Sequence, residues 1–217
     1  MKNGPFALAF HTLVVLFMLA PLVVVCLVAF TPENTLSVPW GAYSLRWFRA
    51  IFEHGDLVQS FWNSLVVALA AATAAVALAV PAGLAIARHE FRGRQALNAL
   101  LMSPLIVPHL VLGVAMLRLF SLVGARGSAT WLTIAHVVVV TPYALRLVVA
   151  ALAGLDRSIE QAALSLGASR AAVFRRVTLP MMLPGVTGGW MLAFINSFDE
   201  VTMSLFVTSP QTVTLPV

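Results

Sequence analysis

Long apolar stretches separated by polar ones set the plan of this chain. Five can be read, at about Phe6–Phe30, Phe61–Ala87, Ala96–Phe120, Ala129–Leu152 and Leu183–Val207. None alternates with period two, which favours helices over barrel strands. Each reaches the roughly 20 residues that a bilayer crossing needs. The expected fold class is therefore all-α integral membrane, a polytopic helical bundle with five visible spans in a single domain over residues 1–217. Lys2 ahead of the first run invites comparison with a secretion signal. That run is 25 residues long, beyond the roughly 7–15 of a signal core, so an uncleaved span is expected. Pro81, Pro104, Pro108 and Pro142 are expected to mark kinks. Gly185, Gly188 and Gly189 around Trp190 are expected to let helices pack closely.

The polar segments assign sides. With the N-terminus in the cytoplasm, the inner segments hold Lys2, Arg88, Arg92, Arg94, Arg157, Arg170, Arg175 and Arg176, and the outer ones Arg46, Arg49 and Arg126. That asymmetry follows the positive-inside rule. Trp40, Trp47, Trp62 and Trp131 then fall together on the outer side, as an interfacial belt does. Within the outer segment, about 31–60, Leu45, Trp47, Phe48, Ile51 and Phe52 alternate with Arg46, Arg49 and Glu53. This reads as an amphipathic helix, either on the membrane face or as a cap over the bundle. Thr208–Val217, with Pro210 and Pro216, reads as an unstructured outer tail.

Composition sharpens this picture. Hydrophobic residues make up 60% of the 217 and charged ones 10%, against about 25% charged in soluble domains. The net charge of +5 sits beside spans without aromatic interleaving, so topology explains it and nucleic acid is not an expected partner. One cysteine, Cys26, allows no internal disulfide, and no metal-ligand spacing is present. His109 and His136 are expected to bond neighbouring helices rather than a ligand. Asp199 and Glu200 are the only acids within the expected spans. Membrane acids are costly and usually face a cavity or a partner. The two, with Asn196 beside them, either line a path for a cationic solute, pair structurally with Arg118 or Arg146, or lie near the outer interface, where the cost is small.

The most informative stretch is Ser158–Pro180, 23 polar, basic, helix-forming residues between two spans. Ser158 and Gln161 have capping-box spacing, and Asp156 and Glu160 favour the same helix start through the dipole. Ile159, Ala162, Ala163 and Leu166 form a small apolar face. Gly167 suits a C-terminal cap. Ser169 then starts a second helical stretch carrying Arg170, Arg175 and Arg176, which Pro180 ends. Two short helices with a tight corner are expected over about 156–180. The face either wedges into a partner's groove or packs back on its own bundle, with the arginines on lipid headgroups.

This segment resembles the EAA loop of permease subunits of ATP-binding-cassette importers, whose pattern is E-A-A, three residues, Gly, nine residues, I-x-L-P. Here it stands as Gln161-Ala162-Ala163, Gly167, then Val177-Thr178-Leu179-Pro180. Gln161 replaces the glutamate, although Glu160 is adjacent, and Val177 replaces isoleucine. Tyr43-Ser44-Leu45-Arg46-Trp47-Phe48, Trp62-Asn63-Ser64-Leu65, Ser197-Phe198-Asp199-Glu200 and Leu215-Pro216-Val217 look like the spermidine/putrescine group of those permeases. The resemblance implies a sixth helix that is missing or truncated here. It implies as partners a second permease subunit, same or different, a cytoplasmic ATPase dimer and an external solute-binding protein, in a bacterial inner membrane. It also implies an ATPase-coupling interface at Glu160, Gln161, Ala162, Ala163, Leu166, Gly167 and Arg170, and a substrate path at Asp199, Glu200 and Asn196, for a polyamine-like organic cation. The chain carries no G-x-x-x-x-G-K-S/T loop, so ATP is expected on the partner subunit and no cofactor in this one.

Two other readings stand beside this one. A secondary transporter or ion channel would use Asp199 and Glu200 without ATP. A membrane enzyme lacks support from any nucleophile, base or carboxylate cluster.

Overall fold

The computed structural model describes residues 4–35, 37–125 and 127–217. Lys2 and Arg126, two of the sidedness markers, lie outside the described residues. The fold is all-helical, in two compact units that divide between Val58 and Gln59. Four of its helices are long and apolar enough to cross a membrane, or five if one sharply bent pair is a single span, among the described residues.

The first unit holds α1 (Pro5–Val28) and α2 (Arg46–Glu53). The described residues between them make local polar bonds. The Glu33 carboxylate accepts from Ser37 Oγ at 2.7 Å. Arg46 donates to the Pro32 carbonyl at 2.7 Å and to the Asn34 side chain, and lies 4.5 Å over the Trp47 ring. α2 is the expected amphipathic helix. Trp47, Phe48, Ile51 and Phe52 fall on one side of its wheel, and Arg46, Arg49 and Glu53 on the other. α3 (Gly55–Arg88) begins one residue after it. The second span thus starts earlier than Phe61, because Asp56 in the first turn suits a helix N-terminus.

In the second unit the core forms around α6 (Ala129–Ala153), whose Ser128 cap accepts the Thr130 amide at 3.2 Å. Leu132, Ala135, His136, Val139, Val140, Ala144, Leu145, Val148 and Leu152 are buried along it. α3 turns its alanine stripe inward, with Ala68, Ala71, Ala72, Ala75 and Ala79 all buried. On the other flank lies α9 (Leu179–Phe198). In lipid no hydrophobic drive brings helix to helix, so close backbone approach and packing hold such pairs. The glycines supply that approach. A Cβ on Gly185 would lie 2.9 Å from the Leu147 carbonyl oxygen and collide with Ala151. One on Gly189 would meet the Ala144 carbonyl at 3.1 Å. Trp190 fills the adjoining space, stacked on Phe194 with its indole nitrogen donating to Thr73 at 3.1 Å.

Two expected spans take another form. The third is not one straight helix over Ala96–Phe120. α4 (Arg94–Met102) passes through a 3-10 turn at Ser103–Leu105 and breaks before α5 (His109–Leu122), with a bend of 103°. Two prolines four residues apart remove donors, and Pro108 holds the residue before it away from helical geometry. Pro81 and Pro142 stay inside unbroken helices. The fifth span starts and stops earlier than Leu183–Val207. After α7 (Arg157–Ser165), α8 (Arg170–Val173) continues through a π-helical turn at Phe174–Thr178 into α9, giving one 29-residue element. Pro180 therefore does not end the second polar helix. The wide π turn immediately before it provides room for a ring that an α turn would clash with. α9 ends at Phe198, and α10 (Ser204–Val207) is separate.

Candidate functional site

Two polar regions lie at opposite ends of the second unit. The first is the elbow made by α7 and α8, beside the C-terminal ends of α3 and α6. Asp156 caps α7, its carboxylate accepting the Ser158 amide at 2.8 Å. That bond holds its pKa below the ordinary value. The expected Ser158 cap is thus displaced by two residues, since Asp156 is the residue still in extended geometry, and Ser158 and Gln161 do not form a capping box. The far end closes as a Schellman turn: Gly167 N donates to Leu164 O at 3.0 Å and Ala168 N to Ala163 O at 3.2 Å, with Gly167 at φ 86°. Ser169 caps α8 as expected, accepting the Ala172 amide at 3.3 Å.

α7 has two working faces. Ile159, Ala162 and Leu166 point away from the bundle, with Leu166 89% exposed. Ala163, the fourth residue of the expected face, is half-buried, so the face does not pack fully on its own chain. Roughly opposite on the helix wheel lie Arg157, Glu160 and Leu164. Glu160 is half-buried: its Oε2 lies 3.3 Å from Arg88 Nε at the end of α3, and its Oε1 accepts from Thr178 Oγ1 at 2.7 Å. Arg157 Nη2 donates to Ala87 O at 2.6 Å. Glu160 therefore faces inward, apart from the exposed positions Gln161, Ala162, Leu166 and Gly167. Between the elbow and α3 a cleft of about 490 Å³ is lined by Arg88, His89, Glu160, Leu164 and Arg170 among others.

The second region is the break between α9 and α10. Glu200 is 7% exposed. Its Oε2 sits 2.8 Å from His109 Nδ1, and its Oε1 accepts the Met203 amide at 2.8 Å. Glu200 thus pairs with a histidine of α5, not with Arg118 or Arg146. His136 on α6 bridges Ser197 Oγ at 2.8 Å and Ser204 Oγ at 3.0 Å. Both histidines bond neighbouring elements, as expected. Asp199, the residue after α9, is exposed, and Asn196 spends its amide on Leu192 O at 2.8 Å. The structure therefore brings Glu200 into a buried cluster and leaves Asp199 free of it.

The stretch after α10 is ordered rather than an unstructured tail. Asn63 Nδ2 donates to Gln211 O at 3.2 Å and Val213 O at 2.9 Å, and Ser64 Oγ accepts the Leu215 amide at 2.7 Å. Two separated stretches of the resemblance, Asn63-Ser64 and Leu215-Pro216, thus meet in space. Sequence reasoning missed Arg88, Thr178, Arg157 and this clamp. Arg88 read only as a sidedness marker, and pairing across 72 residues leaves no local periodicity. Among the described residues no group of three His, Cys, Asp or Glu side chains is placed to hold a metal ion.

The chain is thus a multi-span helical bundle with a capped polar elbow at one end. The chain belongs to the family of binding-protein-dependent transport system inner membrane components, which matches residues 79–217. It is a permease subunit of an ATP-binding-cassette importer, with several spans in a bacterial inner membrane. It is similar to the spermidine/putrescine transport system permease protein PotC of Haemophilus influenzae, 32% identical over 96% of this chain and 80% of that one. It is similar also to the putrescine transport system permease protein PotI of Escherichia coli, 35% identical over 92% and 73%. A molybdate/tungstate transport system permease protein, WtpB of Pyrococcus abyssi, is 30% identical over 70% and 60%. Among solved structures, a bacterial ABC transporter importing the acidic polysaccharide alginate shares the fold, with TM-score 0.73, 13% identity, and 97% and 77% coverage.

Proposed function

We propose that this permease carries a polyamine-like organic cation, and that α7 is the helix through which a separate cytoplasmic ATPase dimer drives it. The observation that carries the coupling role is the outward face of α7. It presents Ala162, Leu166 and Gly167 to solvent on a helix fixed at both ends by caps and anchored from behind. A small-residue face of this kind fits a helix-in-groove contact. In this reading the elbow end and the N-terminus are cytoplasmic, ATP binds only to the partner subunits, and a second permease subunit completes the path. An external binding protein delivers the solute. The cation assignment is supported by the polyamine permeases among its relatives and by the exposed Asp199.

The docking test is a cross-link. On a Cys26→Ser background, Leu166→Cys should join to the cognate ATPase through a thiol-to-amine reagent. ATP-driven uptake with labelling only within the permease would overturn the docking reading.

A further inference from the structure

We infer that Glu160 is a transmission residue for the import cycle: it rivets the ATPase-facing helix α7 to α3 and α9. This rests on the docking role proposed for α7. By covalent connection, α7 follows α6 through the short link Gly154–Asp156 and leads through the Schellman turn to α8. Glu160 adds two connections. One carboxylate oxygen faces Arg88 at the last residue of α3 (3.3 Å), and the other accepts Thr178 within the π turn that enters α9 (2.7 Å). Arg157 grips the same end of α3 one residue earlier, at the Ala87 carbonyl (2.6 Å). The π turn matters here because its extra residue per turn changes which side chains face α7, and Thr178 is the one that reaches Glu160, itself 4% exposed. Displacement of α7 is thereby imposed on three membrane helices together.

The chemistry singles out the charge of Glu160. The Arg88 side chain is 12% exposed, and its Nε and Nη2 are buried without hydrogen-bond geometry to any acceptor among the described residues. Its compensation is therefore the nearby carboxylate charge, not a saturated fork. Glutamine at 160 would keep the shape and an acceptor for Thr178 while leaving the guanidinium without a counter-charge.

The test uses the assembled importer, with its ATPase and binding protein, reconstituted in vesicles. Its readout is ATP hydrolysed per solute imported. Glu160→Gln should retain the ATPase subunits and their hydrolysis while uptake falls roughly tenfold, the scale of a lost bond to a charged group, so that the ratio rises. The paired exchange Arg88→Glu with Glu160→Arg should move the ratio back towards the original. A merely structural residue would lower hydrolysis and uptake in proportion, and an unchanged ratio overturns the inference. Should Glu160→Gln fail to assemble, Thr178→Val, which deletes one hydrogen bond and no charge, takes its place: a raised ratio supports the inference and an unchanged one overturns it. Loss of ATPase capture by the unmodified chain would instead sink the docking reading on which the inference stands.

Discussion

Gly167 offers a clean perturbation because space and backbone make separate demands there. It lies at φ 86° and its turn is closed by two backbone hydrogen bonds, yet a Cβ built on it meets nothing within 4 Å. A substitution therefore acts through backbone conformation alone. A residue with a Cβ in the left-handed region costs about 1–2 kcal/mol, more when β-branched. An energy of about 1–2 kcal/mol shifts a two-state population roughly 5- to 30-fold. Gly167→Val should thus lower the ratio of native to non-native elbow by about that factor, and ATPase capture and ATP-driven uptake should fall by up to it. Membrane insertion should stay intact, because no bundle contact is touched. Gly167→Asn, which tolerates this region, should stay near the original protein. The assay is ATPase co-purification together with uptake in vesicles. Wild-type values for Gly167→Val would refute the idea that the turn sets the docking geometry.

Other outcomes follow from the same geometry. Gly185→Val should break the α6–α9 seam, costing about 1–3 kcal/mol or more by overpacking, whereas Gly188→Ala meets only Leu147 Cδ1 at 3.6 Å and should be tolerated; thermal unfolding in detergent distinguishes them. Asp199→Asn should impair uptake of a cationic substrate, and unaltered uptake kinetics would remove Asp199 from the path. Because the pKa of Asp156 is lowered by its bond to the Ser158 amide, its cap contributes fully above the unfolded value of about 3.9 and is lost as pH falls through the folded value. Amide exchange at Ser158, corrected for intrinsic rate, should therefore be steady near neutrality and accelerate in acid. Asp156→Asn, with no proton to gain, should remove that acid dependence.

The spans were legible because burial in lipid demands unbroken apolar length, and α1, α3 and α6 follow that rule closely. The elbow was legible where its signals are local, as at Ser169, Gly167 and the apolar face of α7. Failures came where long-range partners override local signals. Ser158 and Asp156 are both competent caps, and the chain entering from α6 chose between them. Pro180 reads as a stop, but the π turn ahead of it makes room for its ring. The Glu160 carboxylate, adjacent to a docking motif, reads as part of that motif until Arg88 and Thr178 are seen beside it. Asp199 and Glu200 are neighbours of like charge in sequence, yet His109 engages only the second.

The glycine contacts between α6 and α9 have a mechanical consequence. The two helices leave and re-enter the elbow, and their backbones are pressed together along Ala144–Ala151 and Gly185–Gly189. A thrust on the elbow finds no slack there to take up by prying the pair apart. Under the proposed coupling, a push on the elbow would move this pressed segment of both helices as one.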